Sequence, residues 1–189
     1  LGGAIDSEGG EKGGRFLQLC DAYNVPVISL CDTPGFMVGP DSEKTAAVRR
    51  GSRLILACTN LRVPLFCVVL RKGYGLGAQA MMGGSTKAPI ACVAWPTGEF
   101  GGMGLEGAVR LGYRAELEAI ADVDEREAAF QQRVAHMYEI GKAVNVASHF
   151  EIDDVIDPAD SRRWISTVLA AVPAPAPRTG KKRPNIDTW

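Results

Sequence analysis

This sequence is short of the residues from which most side-chain catalysis is built. It has only two histidines, His136 and His149, both toward the C-terminal end and far in sequence from every cysteine. A Cys-His nucleophile therefore has no obvious partner. No CxxC pair and no paired-histidine spacing is present, which argues against a structural zinc site, and no metal is expected. No apolar run approaches the roughly 20 residues of a membrane span, and the opening LGGAIDSEGGEKGG lacks the charged and apolar regions of a secretory signal. An excess of one charge is also missing. The formal net charge is −1 and the basic residues are scattered, so nucleic acid and membrane are not expected partners.

What is present fits one domain. The 189 residues are 46% apolar and 23% charged, ordinary values for a soluble globular protein. The five cysteines (Cys20, Cys31, Cys58, Cys67, Cys92) are an odd number, and four sit in apolar stretches, as reduced core thiols do. That points to a bacterial cytoplasm or a mitochondrial matrix. The chain opens at Leu1 without a methionine, in what reads as the end of a strand over 1–5, as if cut from something longer.

Periodicity predicts a helix over 11–24 with a start weakened by Gly13 and Gly14, about 1 kcal/mol each. A buried strand follows over 25–31, ended by the turn Asp32-Thr33-Pro34-Gly35. A helix over 43–59 leads to a strand over 65–70, a glycine-rich turn with a short helix, and a strand over 90–95. This alternation predicts an α/β domain with strands buried on both faces. Right-handed crossovers then bring the turns at Asp32 and Arg71 to one edge of the sheet. Beyond Gly104 the pattern is helical, over 106–120 and 125–147, with a short edge strand over 150–155 and a last helix over 160–171. PAPAP at 173–177 is extended, and the basic run 181–183 reads as a solvated tail.

The richest segment is RKGYGLGAQAMMGGS, residues 71–85, directly after the β-branched run 65–70. A strand that empties through glycines into a helix presents backbone N–H groups where negative charge can bind. The same glycines could serve turn geometry alone. The dinucleotide fingerprint is excluded by the missing third glycine and acidic residue, and a Walker loop by the absence of Gly-Lys-Ser/Thr. A second candidate, DTPGFMVGP at 32–40, is either a rigid pocket wall or a connection that packs Phe36 into the core. A third, WPTGEFGGMG at 95–104, sets aromatic and Met side chains among glycines. Its Glu99, and Glu106 just beyond, are possible bases without a visible partner.

Taken together, DTPGFMVGP, RKGYGLGAQAMMGGS, AWPTGEFGGMGLEGAV and EIDDVIDPADSRRWI resemble the C-terminal half of the carboxyltransferase of biotin-dependent acyl-CoA carboxylases, the propionyl-, acetyl- and methylcrotonyl-CoA group. The resemblance implies a crotonase-like (ClpP/crotonase) α/β fold of repeated ββα units with a helical C-terminal region. It implies a C-terminal domain over 1–172 and a flexible tail over 173–189. The implied reaction moves a carboxyl group from carboxybiotin, carried on a biotin carboxyl carrier protein beside a biotin carboxylase subunit, to a coenzyme A thioester of the acetyl- or propionyl-CoA class. It further implies backbone N–H groups of Leu76 and Gly77 as the oxyanion hole, Gly75, Gly77 and Ala78 at the biotin, and Gln79, Pro34, Gly35 and Phe36 at the acyl-CoA. The active site would form between subunits of a homo-oligomer, and the isolated chain would be inactive.

The chain departs from the propionyl-type pattern RKAYGGAYDVM, with Leu76 for a glycine and Gln79 for the aspartate that helps select the acyl group. Gly10, Gly13 and Gly14 stand where related sequences carry alanine, which predicts a less stable first helix. Other crotonase-fold activities, namely a biotin-dependent decarboxylase or a hydratase or isomerase using Glu99 and Glu106, remain alternatives, as does a non-catalytic assembly module.

Overall fold

The computed structural model describes residues 2–174 together with Ala176, Thr179 and Gly180. Pro175, Pro177 and the basic run 181–183 lie outside the described residues. Five strands, β1 (Val27–Thr33), β2 (Leu65–Tyr74), β3 (Ala91–Ala94), β4 (Glu99–Gly101) and β5 (Asp154–Val155), form one sheet in which every named pair is parallel. The order is β1-β2-β3-β5, with β4 joining β2 beyond the end of β3. The α/β expectation and the shared edge for the first two strand ends both hold.

The first helix corrects the sequence expectation. α1 spans Ser7–Tyr23, starting earlier than predicted because Asp6 caps it, its carboxylate accepting from the Gly9 N–H at 2.7 Å. Its glycines are a contact surface. A Cβ on Gly10 would lie 3.0 Å from the Gly51 Cα of α3 (Ala47–Thr59), and one on Gly14 would lie 3.1 Å from the Arg53 carbonyl oxygen. The helices approach too closely for side chains there, so the propensity cost of glycine is offset by packing. Glu11 adds an ion pair to Arg53 at 2.9 Å across the same seam.

Three predicted helices are each broken in two. The segment 43–59 becomes α2 (Pro40–Lys44) and α3, separated at Ala46, whose φ of +57° ends helical continuity. The segment 106–120 divides at Tyr113 into α5 (Leu105–Gly112) and α6 (Arg114–Glu118). The segment 125–147 divides at Lys142, which takes extended ψ of 141°, into α7 (Val123–Gly141) and α8 (Ala143–Ser148). In the second and third segments buried residues lie on both sides of the break, Leu105, Val109 and Leu117 about Tyr113 and Phe130, Val134 and Ala143 about Lys142, whereas α2 buries none. The seven-residue helix after β2 is α4 (Gly75–Met81), and the last is α9 (Ser161–Ala170).

Both faces are buried along the apolar run of β2 and along β3, as in a parallel sheet, whereas the edge strand β1 corrects the expectation of a fully buried strand, since Ile28 and Leu30 on one of its faces are exposed. On one face Phe66, Val68 and Val93 pack with Ile156 beneath Trp164, Ile165 and Val168 of α9. On the other, Cys31, Cys67, Val69, Cys92 and Ala94 pack with Ala78, Met82 and Ile152. All five cysteines are free and buried, matching the expected core thiols. Burial pushes the Cys31 thiol up to about 12, which leaves it unreactive at neutral pH. Among the described residues, no helix is long and apolar enough to cross a membrane.

Candidate active site at the carboxyl edge of the sheet

β2 runs four residues further than its apolar run suggests. Asp32 draws it out: its carboxylate accepts from the Lys72 backbone N–H at 3.1 Å and from Arg71 at 3.1 and 3.2 Å. Partial burial opposes ionisation of Asp32, but the Arg71 guanidinium and the Lys72 N–H outweigh it and hold the carboxyl below its usual range. β4 then pairs with Lys72, Gly73 and Tyr74, carrying the strand to the glycine turn.

At that turn the chain reverses through Gly75, with φ of +59°, and a Cβ there would lie 2.8 Å from the Gly102 carbonyl oxygen. Only glycine satisfies both conditions. Gly77 presses against the neighbouring loop, where a Cβ would stand 2.7 Å from the Gly35 Cα and carbonyl carbon and 3.0 Å from the Phe36 nitrogen. The loop is itself braced, since Thr33 Oγ1 accepts from the Gly35 N–H at 3.1 Å. The two edge loops are thus in contact backbone to backbone.

The first turn of a helix leaves its leading N–H groups without intrahelical acceptors, and Tyr74, which caps α4, supplies no side-chain acceptor. Leu76 and Gly77 are the second and third residues of that turn. The Leu76 side chain is 63% exposed and Gln79, one turn on, is exposed beside it, while Gly77, Ala78 and Ala80 are buried. Of the loop residues, Gly35 is buried and Pro34 half-buried. The Phe36 ring packs on the core side, against α3, where a Cβ on Gly51 would meet it at 3.1 Å. The structure therefore brings 34–36 and 75–79 together and turns the Phe36 ring toward the interior.

Two partners escaped the sequence. The Tyr74 hydroxyl donates to Glu99 Oε2 at 2.7 Å, and the Tyr138 hydroxyl donates to Glu106 Oε1 at 2.8 Å. Burial first, and then Glu99, push the Tyr74 phenol well above its ordinary range. The bond to Glu106 raises the Tyr138 phenol to about 12. Glu106 is held low by its own backbone N–H and then by the Tyr138 hydroxyl. Separations of 25 and 32 residues gave no local signal for these pairs. Among the described residues, no group of three or more His, Cys, Asp or Glu side chains is arranged to hold a metal.

The carboxyl transferase domain model matches residues 1–186. The chain belongs to the carboxyl transferase domain family. It is 39% identical over 160 residues to the carboxyltransferase subunit of propionyl-CoA carboxylase from Haloferax mediterranei, covering 85% of this chain and 30% of that protein. It is 35% identical over 173 residues to the methylmalonyl-CoA carboxyltransferase 12S subunit of Propionibacterium freudenreichii subsp. shermanii, covering 89% and 32%. Among solved structures it resembles a single-chain, multi-domain long-chain acyl-CoA carboxylase, with 59% identity, a TM-score of 0.78, and coverage of 89% of this chain and 16% of that one. A transcarboxylase 12S hexamer with methylmalonyl-CoA bound matches with 31% identity, a TM-score of 0.80, and coverage of 98% and 35%. This carboxyl transferase domain is thus crotonase-like, as expected, and spans about a third of the length of the curated relatives it matches.

Proposed function

We propose that this chain is the C-terminal part of a carboxyltransferase that transfers a carboxyl group between biotin and an acyl-CoA thioester. The backbone N–H groups of Leu76 and Gly77 stabilise the oxyanion at the biotin. The observation that carries this is the first turn of α4, whose amides are uncapped by Tyr74 and whose backbone is seated on Gly35. Preorganised amides of this kind need no reorganisation as charge develops. Glycines at 75 and 77 let the turn close on the Gly102 carbonyl and the Gly35 backbone, which fixes the amides, and Ala78 anchors the same turn in the core. Bound biotin supplies the carboxyl group, tethered to a carrier protein beside a biotin carboxylase subunit.

Gln79 and the backbone of 34–36 form the chain's share of the acyl-CoA site, with the backbone of Gly75 and Ala78 bordering the biotin. The exposed Leu76 side chain supports an active site completed by another subunit of a homo-oligomer. The domain then runs over 1–172, with 173–189 as a tail. An acyl group longer than propionyl is supported by Gln79, which replaces the aspartate of the propionyl-type pattern, and by the 59% identity to a long-chain acyl-CoA carboxylase. A comparison of kcat/KM for long-chain and propionyl thioesters in the complete enzyme tests this, and a preference for propionyl-CoA would reject it.

Substitution of Gly77 by valine does not separate catalysis from assembly, since any Cβ there strikes Gly35. The decisive experiment replaces the Leu76 amide by an ester, using the α-hydroxy analogue of leucine, in a full-length carboxyltransferase carrying this chain. Loss of one oxyanion donor lowers kcat by roughly 100- to 1000-fold. Leu76→Ala, which keeps the N–H, leaves kcat within a few-fold of wild type. An ester variant as active as Leu76→Ala would remove the oxyanion role and leave the assembly module standing.

A further inference from the structure

We infer that Tyr74 and Glu99 are positioning residues: their hydrogen bond clamps the end of β2 to β4 and thereby fixes the turn that carries the Leu76 and Gly77 amides. The catalytic consequence rests on the function proposed above, whereas the mechanical part does not.

Tyr74 is the last residue of β2 and the capping residue of α4, so any movement of its backbone moves the amides that follow. It is only 3% exposed, and a buried phenol needs a hydrogen-bond partner. Glu99 Oε2 accepts its proton at 2.7 Å. The ring also lies beside Gly101, where a Cβ would stand 3.6 Å from Tyr74 Cδ1 and 2.7 Å from Leu105.

β4 is three residues long and is held from both sides. On one side it pairs in parallel with Lys72, Gly73 and Tyr74. On the other, Glu99 bridges to Lys142, the Ala143 N–H donates to the Gly98 carbonyl at 2.9 Å, and a Cβ on Gly141 would come within 2.5 Å of the Phe100 carbonyl oxygen. The residue after β4, Gly102, is the one whose carbonyl lies against Gly75. β4 therefore stands between the α7-α8 junction and the glycine turn, and the Tyr74–Glu99 bond is the side-chain link across it. A short strand has little intrinsic stability, so this link has leverage.

A chemical role for Glu99 would make its charge essential, whereas the clamp needs only an acceptor oxygen. In the complete enzyme, Glu99→Ala is expected to lower kcat roughly 10- to 100-fold with acyl-CoA KM unchanged, the scale for displaced catalytic groups. Glu99→Gln keeps an oxygen for the Tyr74 hydroxyl and should restore kcat to near wild type. Equal losses in Gln and Ala, or no loss in Ala, overturn the inference. If Glu99→Ala does not fold, Tyr74→Phe is measured instead, with the same loss in kcat expected and unchanged kcat overturning the clamp. The amide resonances of Leu76 and Gly77 in the chain itself provide a second readout. They should move in Glu99→Ala and Tyr74→Phe and remain in place in Glu99→Gln, and unmoved resonances in all three reject the clamp. Should the wild-type enzyme transfer no carboxyl group, the proposed function fails while these resonances still decide the clamp.

Discussion

Gly10 and Gly14 in α1 hold ordinary helical φ and face α3, whereas Gly75 at the start of α4 has φ of +59° and Gly77 lies on the backbone of Gly35. The first pair lets two helices approach, with helix backbone on the far side of the seam. The second pair forms a turn that has backbone on both sides and almost no room to give. One residue type therefore serves distance in one region and conformation together with distance in the other. At the helix seam an added methyl group can be accommodated in part by a small shift of α1 over α3. At the turn the same shift would carry the Leu76 and Gly77 amides with it.

Gly77→Ala offers the largest test of this contrast. Its Cβ would sit 2.7 Å from two Gly35 backbone atoms, so we expect about 3 kcal/mol of destabilisation in urea unfolding. Little or no loss would mean that the two loops are not in contact. Gly10→Ala meets the Gly51 Cα at 3.0 Å and the Arg50 carbonyl oxygen at 3.1 Å. Overpacking there, reduced by roughly 1 kcal/mol of helix propensity, leaves a net loss of about 1 kcal/mol. Gly13→Ala should have the opposite sign, since its nearest neighbour is the movable end of Leu54 at 2.9 Å. A gain of about 0.5 kcal/mol is expected. If both helix variants stabilise the protein, the seam is looser than described.

The two smallest effects test the surroundings. Gly112 ends α5 with nothing within 4 Å of a Cβ and no positive φ, so Gly112→Ala should raise the free energy of urea unfolding slightly, by about 0.5 kcal/mol or less. Asp32 provides a pH test at the turn. Its folded pKa lies below the unfolded value of about 3.9, so its contribution is complete above that pH and is lost as the pH falls through the folded pKa. The urea midpoint should therefore drop more steeply below pH 4 in the wild type than in Arg71→Met. Parallel curves would show that Asp32 is not held by Arg71.

Much of the site was legible because its signal is local. The run 65–70 and the glycines after it placed the turn, and crossover handedness placed Asp32 beside it. The continuation of β2 through Tyr74 was not legible, because residues 71–74 look like a turn until Asp32 and β4 bond to them. The breaks at Ala46, Tyr113 and Lys142 were hidden for a related reason: a bent helical segment and a straight one share the same apolar spacing. Phe36 carried two open roles, and the contact with Gly51 turned its ring to the core.

By itself the sequence determined the α/β class, the buried free thiols, the family motifs and the glycine turn, since each depends on composition or on residues close together in the chain. Tertiary structure alone decided what the glycines are for. Gly10 and Gly14 became a helix seam, Gly77 a backbone contact, and Glu99 the partner of Tyr74. These outcomes depend on distances between segments tens of residues apart, and such distances have no local signature along the chain.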